Sequence, residues 1–458
     1  MEQEKKQKDI RVEDYHMKRM LLMSLPIFVE LFLQLLVGNV DQIMISRYSQ
    51  NAVAAIGNAN QIVGILIMFL NIMGSGTTVV LARFLGAGNK EKVEETCTIS
   101  LSMIGILGVL AGVILIVFHR PIYTLMNVPA EIMQDACDYM AVIGFGIVIQ
   151  AVYVGFGAIL RSYSMNSEIT IISISMNIIN VIGNAILIYG LFGMPKLGII
   201  GVALATNISK CVGLVLIILV FVKKLGVKLS VTYLKPLPVD TIQKILAVAI
   251  PSGAENLSYN FSQMVVLGVI NTIAATVGTY VISTKVYVGM AANVAYIYSV
   301  AIACAMQVVI GYFVGANRKD LIAKKVWTVQ LIATLASVGV CFLLYLNSDL
   351  FFGLFTKDVE VLCLARQVLF VEIFLEIGRS INIVMVKALI ATGDVKFPVV
   401  CGIICQWLVA ALFAYILGIV CQLGLVGVWI ALALDECVRG FIYLIRFKMG
   451  KWRKLQGV

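Results

Sequence analysis

Hydrophobic residues occur along this chain in twelve long runs, which are separated by short polar segments. Each run has about 20 residues or more, the length that an α-helix needs to cross a hydrocarbon core of about 30 Å. The pattern therefore predicts twelve membrane-spanning helices. Their expected bounds are 20–46, 52–82, 93–118, 137–160, 168–192, 197–222, 242–272, 280–313, 324–346, 365–391, 397–419 and 424–446.

Short motifs at equivalent places in the two halves indicate an internal duplication. The three pairs are SLPIFVE at 24–30 with AIPSGAE at 249–255, FLGAGNK at 84–90 with FVGANRK at 313–319, and LGIIGV at 197–202 with LGLVGV at 423–428. Their offsets of 225, 229 and 226 residues agree within the variation of loop length. Six spans per half is an even number, so both halves enter the membrane in the same orientation. We therefore predict an all-α polytopic membrane protein whose two six-helix lobes are related by a pseudo-two-fold parallel repeat.

Basic residues predict which side of the membrane the termini occupy. With twelve spans, 25 lysines and arginines fall on the side of the termini and five on the opposite side, which places both termini in the cytoplasm. The expected organisation is a cytoplasmic tail 1–19, a lobe 20–222, a cytoplasmic linker 223–241, a lobe 242–446 and a cytoplasmic tail 447–458. The first 19 residues lack a short apolar core with a cleavage site, so we expect no removable signal peptide.

The composition excludes a soluble protein. Hydrophobic residues make up 60% of the chain and charged residues 13%, and the mean hydropathy is +0.98. The net charge of +10 lies in short loops and tails, so it does not indicate a nucleic-acid partner. We expect a monomer in the plasma membrane, in contact with lipid, whose partners are small organic substrates.

The sequence contains no signature of an enzyme or of a nucleotide-driven pump. It has no Gly-x-x-x-x-Gly-Lys-Ser/Thr loop, only two histidines, and ten cysteines without metal-like spacing. No cofactor is therefore expected, and transport would draw on a gradient of H⁺, Na⁺ or the substrate itself.

Three polar residues lie within the first span. At 100° per residue, Asp41 is about 20° from Glu30 around the helix and about 16 Å along it, and Gln34 lies between them. A carboxylate at membrane depth is costly and is therefore a candidate functional group. We predict that Asp41 takes part in cation or proton coupling, and that Glu30 and Gln34 line a substrate cavity.

The fifth span carries a stripe of asparagines. Asn177, Asn180 and Asn184 are spaced i, i+3, i+7, and Asn184 lies at a depth similar to that of Asp41. Carboxylate and carboxamide oxygens suit a proton or Na⁺, so Asn180 and Asn184 are candidate coupling residues and Asn177 a candidate cavity residue. The alternative is hydrogen bonding between helices.

In the seventh span, Glu255 lies near the expected bilayer centre, with Asn256, Tyr259 and Ser262 within two turns. We predict Glu255 as a second coupling residue and a candidate Na⁺ ligand, like Asp41, and Tyr259 as a cavity residue. A neutral structural acid is the alternative for Glu255.

Ionisable stripes also occur in spans 10 and 12. Glu372, Glu376 and Arg379 are spaced i, i+4, i+7, and acidic and basic residues recur within 435–439. The two glutamates are candidate cavity residues. An ion pair with Arg379 would instead make them purely structural, and both interpretations stay open at this point.

Over residues 15–448 the chain resembles the multidrug and toxic compound extrusion (MATE) family. The residues that carry the resemblance are the span from Pro26 to Asp41, the loops 86–89 and 314–317, Pro251 with Glu255, and ALIATGD at 388–394. The resemblance implies a V-shaped pair of lobes and export of amphipathic, often cationic, organic compounds by H⁺- or Na⁺-coupled antiport.

The resemblance also implies roles for single residues. Asp41 matches the family's first-span coupling aspartate, Asn180 matches a fifth-span asparagine beside it, and Glu255 matches the seventh-span glutamate of the Na⁺-coupled branch. Two departures leave the coupling ion open. Asn184 stands where some members have a second aspartate, and Arg379 stands near a tenth-span carboxylate of the Na⁺-coupled branch.

Two other functions stay open as alternatives. A flippase for lipid-linked oligosaccharides shares the superfamily resemblance and the topology, although such proteins usually have a more cationic cavity and often extra spans. A membrane-embedded transferase would need a catalytic cluster near an interface, and the sequence shows none.

Overall fold

The computed structural model of the protein describes residues 14–37, 44–46 and 48–454, and in this part of the chain every regular element is helical. Each of twelve helices overlaps one of the twelve predicted spans, so the predicted all-α class is confirmed. They are α1 Met17–Val37, α2 Gln50–Gly86, α3 Lys90–Leu125, α4 Ala130–Ser162, α5 Asn166–Tyr189, α6 Gly198–Lys224, α7 Val239–Val277, α8 Tyr280–Gly315, α9 Ile322–Leu346, α10 Val359–Thr392, α11 Lys396–Val420 and α12 Gly424–Lys448. Residues 38–43 of the first predicted span lie outside the described residues. Shorter helical turns are Leu191–Gly193, Val231–Leu234, Lys319–Leu321, Ser348–Gly353 and Lys451–Lys454.

Nine of the helices within the described residues are long and apolar enough to span a membrane by length and composition. The other three are α1, α10 and α12. The last two contain the ionisable stripes noted in the sequence, which lower the apolar character of helices that are otherwise long enough. The chain is therefore a multi-pass membrane protein with charged groups inside two of its helices.

Local sequence explains where several helices begin and end. The Ser49 hydroxyl accepts from the amide of Ala52 at the start of α2, and the Asp358 carboxylate accepts from the amide of Glu360 at the start of α10. Helices α5 and α10 end at Gly190 and Gly393, whose φ angles of 70° and 100° suit glycine. Helix α11 contains two π-helical stretches, Gln406–Ala411 and Ile416–Val420.

The described chain forms two compact units: α2 to α6 lie wholly in unit 1, α8 to α12 lie wholly in unit 2, and α1 and α7 are divided between the units. Unit 1 comprises Val29–Ala249, and unit 2 comprises residues 14–28 and 250–454. The divisions fall inside α1 and α7. Packing at the beginnings of these two helices accounts for the positions of the divisions, and the predicted organisation into two lobes and a linker 223–241 stays a prediction.

The beginning of α7 packs within unit 1. The Thr241 hydroxyl donates to the Glu95 carboxylate on α3. At Gly76 of α2, an added Cβ would lie 2.8 Å from the carbonyl oxygen of Ile245, so glycine permits the close approach of the two helices.

The beginning of α1 packs within unit 2. The rings of Tyr15 and Tyr312 lie 5.0 Å apart, and those of Phe28 and Tyr298 lie 6.0 Å apart. Edge and tilted aromatic contacts of this kind hold the first turns of α1 against α8.

Candidate functional site

The ionisable stripe of α10 forms an internal ion-pair cluster in unit 2. Arg379 donates to Glu372 at 2.7 Å and also pairs with Glu376, and both carboxylates are fully buried. The indole of Trp429 on α12 donates to the second oxygen of Glu372 at 2.7 Å. The structure supports the interpretation in which both glutamates pair with Arg379. Glu376 is three residues and Glu372 is seven residues before Arg379, so all three side chains lie on one face of α10.

The stripe of α12 forms a second cluster beside the first. Arg439 pairs with Asp435 and lies 2.9 Å from Glu436. Asn382 of α10 donates to the other oxygen of Glu436 at 2.6 Å, which joins the two helices. All four of these side chains are buried.

Glycines allow α10 and α12 to approach closely at this level. A Cβ added at Gly378 would lie 2.5 Å from the amide nitrogen of Cys437, and one at Gly440 would lie 3.1 Å from the carbonyl oxygen of Gly378. Small residues of this kind let two membrane helices bring their backbones together. Their positions explain why the side chains of the two clusters can share one interior.

The two clusters contain more acids than bases. Four carboxylates, those of Glu372, Glu376, Asp435 and Glu436, share two guanidinium groups, those of Arg379 and Arg439. One oxygen of Glu376 and one of Asp435 are buried without a hydrogen-bond partner among the described residues. Burying uncompensated negative charge is costly, so this interior favours a proton or a small cation as a further partner.

Glu255 of α7 lies near this region of unit 2. A Cβ added at Gly402 of α11 would be 2.8 Å from its Oε1, so the absence of a side chain there leaves room for the carboxylate. Glu255 is half-buried and forms no ion pair with any described residue. It is therefore the acidic side chain in this unit's interior that is most available to an exchangeable cation.

The polar neighbours of Glu255 on α7 have different environments. Tyr259 is 42% exposed, and Asn256 is exposed with its amide bonded to the Ser252 carbonyl of its own helix. Ser262 is buried and donates to the Gln406 carbonyl at 2.7 Å, where a π-helical stretch of α11 begins. A π turn changes the backbone hydrogen bonding within a helix, which makes the Gln406 carbonyl available to a donor on a neighbouring helix.

In unit 1, the asparagines of α5 face α6. The Asn180 amide donates to the Thr206 hydroxyl at 3.2 Å, and the Asn184 amide donates to Asn180 Oδ1 at 3.4 Å. Both asparagines are buried, whereas Asn177 is half-buried and its amide nitrogen has no hydrogen-bond partner among the described residues. These contacts fit the hydrogen-bonding alternative for Asn180 and Asn184, and leave their predicted role in coupling untested.

The polar residues of α1 separate into different environments. Glu30 is buried and accepts from Arg161 of α4 at 2.8 Å and 3.1 Å, so its charge is compensated inside unit 1. Gln34 is exposed. Asp41, the first of the predicted coupling residues, lies outside the described residues, and its role stays a prediction.

Two partners in the unit 2 clusters, Asn382 and Trp429, were not singled out from the sequence. Asn382 continues the α10 stripe three residues after Arg379, and Trp429 lies seven residues before Glu436 on α12. The helical spacing could have indicated both. The shared hydrogen bond between Asn382 and Glu436 could not be anticipated, because it depends on the closeness of two helices at Gly378.

A sequence model described as MatE matches residues 26–186 and 251–416. Among curated proteins, the chain is 33% identical over 427 residues to an uncharacterized transporter, YisQ, of Bacillus subtilis, and the match covers 93% of both chains. It is 24% identical over 442 residues to a probable multidrug resistance protein, NorM, of Thermotoga maritima, covering 95% of this chain and 93% of that one.

Solved structures share the fold. A crystal structure of MATE in the bent conformation superimposes with a TM-score of 0.86 at 21% identity, covering 95% of this chain and 96% of that one. An outward-facing multidrug resistance MATE family transporter of the MOP superfamily gives a TM-score of 0.87 at 21% identity, covering 96% and 97%.

Proposed function

The chain belongs to the multidrug and toxic compound extrusion (MATE) family of transporters, and from this premise we propose that it is a cation-coupled antiporter that exports amphipathic organic compounds. As a member of a transporter family it moves compounds rather than converting them. The proposal adds the driving force, which is a gradient of H⁺ or Na⁺, and the direction, which is out of the cytoplasm that contains both termini.

The observation that carries the proposal is the charge imbalance inside unit 2. Four buried carboxylates share two arginines, and Glu255 nearby has no ion pair among the described residues. Acidic groups inside a membrane protein that lack basic partners bind protons or cations in exchange with the solvent. The buried excess of acid therefore supports a cation as the coupling partner.

Antiport requires that the two ligands favour different conformations. A ligand that binds two states equally shifts neither, so the cation and the organic substrate must each prefer one facing state. In the proposed cycle, a cation at Asp41, Glu255 or both favours one state, and substrate binding favours the other. The organic cation of a typical substrate would compete electrostatically with the coupling ion for acidic side chains.

The proposal is tested with the purified protein in proteoliposomes. Movement of a fluorescent organic cation is measured under an imposed pH gradient and, separately, under an imposed Na⁺ gradient. We expect one gradient to drive uptake and the other to have little effect. If neither gradient moves the dye, while the protein is folded and correctly inserted, the antiport proposal is wrong.

Single variants then separate the two predicted coupling residues. Asp41→Asn and Glu255→Gln remove one carboxylate each with little change of shape. We expect each residue that binds the coupling ion to be required for the gradient-driven component of transport. Undiminished efflux of the dye by Asp41→Asn, in cells or in vesicles, would remove Asp41 from the mechanism.

A further inference from the structure

Lys210 is a basic residue in the middle of a membrane helix of unit 1. It lies twelve residues from Gly198 at the beginning of α6 and fourteen from Lys224 at its end, about 18 Å and 21 Å along the axis. The lysine stem is much shorter than either distance, so it cannot carry the ammonium group to an interface. A charge held at this depth marks a functional site by default.

The side chain points away from the outer apolar face of its helix. Ile208, Val215 and Leu219 form an exposed apolar stripe, and Lys210 lies about 160° around the helix from Ile208. Ile217, which is fully buried, lies on the same side of α6 as Lys210. Lys210 itself is half-buried, so the packing of unit 1 leaves part of the residue accessible to a ligand.

No described carboxylate compensates this charge. The ion pairs of unit 1 join Lys92 with Glu95, Arg161 with Glu30, Lys224 with Glu168, and Lys244 with Asp240, and in the described residues Lys210 takes part in none. An ammonium group in such a place is stabilised when an anion binds next to it.

The internal duplication gives a second reason to regard Lys210 as a cation that lacks a partner among the described residues. The 226-residue offset between the motifs at 197–202 and 423–428 aligns Lys210 with Glu436 of α12. Glu436 pairs with Arg439, whose counterpart in unit 1 is Gly213. The two halves thus have opposite charges at one equivalent position, and within the described residues only unit 2 supplies an oppositely charged partner.

A second hydrogen-bond donor lies at the same level of unit 1. Helices α5 and α6 touch where Asn180 donates to Thr206, and again where Met176 fills the space beside Gly213. Asn177 and Lys210 lie between these two contacts. The amide nitrogen of Asn177 has no hydrogen-bond partner among the described residues. A cation and an unused amide donor at one level are suited to the two oxygens of a carboxylate.

We propose that Lys210, assisted by Asn177, binds the carboxylate of zwitterionic or anionic amphipathic substrates. The inference rests on the proposed export function and refines its substrate class. Compounds with both a basic group and a carboxylate would then be preferred to their esters, in addition to the purely cationic compounds that acidic side chains favour.

The test uses two rhodamine dyes that differ only in one group, a free carboxylate in the first and its methyl ester in the second. Their affinities for the purified full chain in detergent are measured by fluorescence anisotropy, which needs no gradient and no turnover. The variants are Lys210→Gln and Lys210→Arg. The matched control is Lys196→Gln, which removes the same charge from an exposed position of the same unit.

We expect Lys210→Gln to weaken binding of the carboxylate dye by about tenfold or more, because a hydrogen bond to a charged group is lost. Binding of the ester should change by less than about twofold, and Lys210→Arg should retain most of the preference. Lys196→Gln should behave like the wild type. Asn177→Leu should reduce the preference for the carboxylate in the same direction as Lys210→Gln.

Three results would overturn the proposal. Equal loss of both dyes in Lys210→Gln would assign Lys210 to the fold or to ion coupling. An affinity of Lys210→Gln for the carboxylate dye equal to that of the wild type would exclude a carboxylate site at Lys210, and so would a wild type that does not bind this dye. A preference that Lys210→Arg and Lys210→Gln abolish equally would show that charge is not the cause. Failure of the antiport proposal gives a different result: the protein binds the dyes, but neither a pH gradient nor a Na⁺ gradient drives their transport.

Discussion

Asn382 of α10 donates a 2.6 Å hydrogen bond to Glu436 of α12, and this contact joins two ion-pair clusters in unit 2. The other oxygen of Glu436 accepts from Arg439, while Arg379, three residues before Asn382, holds Glu372 and Glu376. Asn382 therefore joins the ionisable stripes of α10 and α12, as Trp429 of α12 also does through its hydrogen bond to Glu372.

Replacing Asn382 with alanine is expected to destabilise unit 2. The change leaves one oxygen of a buried carboxylate without its donor, which costs about 1–3 kcal/mol. The measurement is the apparent unfolding temperature of the purified protein in detergent. Asn256→Ala is the control, since Asn256 is exposed and bonds only to its own helix. If both variants unfolded at the same temperature as the wild type, the α10–α12 hydrogen bond would be unimportant for stability.

Replacing Arg379 with leucine should be more damaging. It leaves Glu372 and Glu376 buried without a guanidinium group, and removing one partner of a buried pair costs about 3–5 kcal/mol. Arg366→Leu, which removes an exposed arginine from the same helix, is the matched control. Thermal unfolding and the yield of monodisperse protein are the measurements.

A compensating variant makes this prediction sharper. Combining Arg379→Met with Glu372→Gln and Glu376→Gln removes both signs of charge together, and it should recover most of the lost stability. Persistent instability of the triple variant would mean that the packing of Arg379, rather than its charge, holds the helices together. Arg379 also lies 4.9 Å from the ring of Tyr296, so such packing is present.

The all-α fold could be predicted from the sequence because a hydrophobic run of spanning length is a local property of a membrane helix. The duplication likewise followed from short motifs at constant offset. The position of the division between the units could not be predicted, because it depends on Thr241 meeting Glu95 and on Tyr15 meeting Tyr312, contacts between residues that are far apart in the chain.

The candidate site was predicted in part. The spacing of Glu372, Glu376 and Arg379 correctly placed these groups on one face, and left open whether they pair. The sequence did not single out Lys210 as a site residue, because the lack of an ion pair among the described residues is a property of its surroundings and not of its neighbours in sequence. The role of Asp41 stays a prediction.

Glu255→Gln is expected to leave the fold unchanged while reducing ion-driven transport. Glu255 has no ion pair among the described residues, so the neutral amide should alter the unfolding temperature little. In proteoliposomes the variant should lose gradient-driven uptake but retain equilibrium binding of the organic dye. Glu376→Gln is the contrasting variant, because Glu376 forms an ion pair with Arg379 and Glu255 forms none among the described residues. Gradient-driven uptake by Glu255→Gln at the wild-type rate would exclude Glu255 as a coupling residue.

The connecting segment between α6 and α7 should respond to alkaline pH. The Tyr233 hydroxyl donates to Glu94 of α3 at 2.9 Å, and this hydrogen bond raises the pKa of Tyr233 above its ordinary value of 10.0. The protonated phenol is the form that the contact favours. The contribution of this hydrogen bond to the stability of the folded state is therefore complete below pH 10, and it is lost as the pH rises through the raised pKa of Tyr233.

The titration of Tyr233 is measured as the ultraviolet difference between the wild type and Tyr233→Phe. In a Glu94→Gln background the carboxylate is absent, so the pKa of Tyr233 should fall towards 10. A pKa that stays raised in that background would show that Glu94 is not the cause.

Gly378→Ala is expected to separate α10 from α12 by a steric effect alone. A Cβ at this position would lie 2.5 Å from the amide nitrogen of Cys437 and 2.7 Å from the carbonyl carbon of Glu436, and neither backbone atom can rotate away. Overpacking of this kind costs about 1–3 kcal/mol. Gly339→Ala in α9 is the matched control, since nothing lies within 4 Å of its added Cβ and alanine is the better helix former by about 1 kcal/mol. Gly378→Ala should therefore unfold at a lower temperature than the wild type, and Gly339→Ala at the same or a higher one. Equal unfolding temperatures for the two variants would mean that the close contact at Gly378 does not hold the two clusters together.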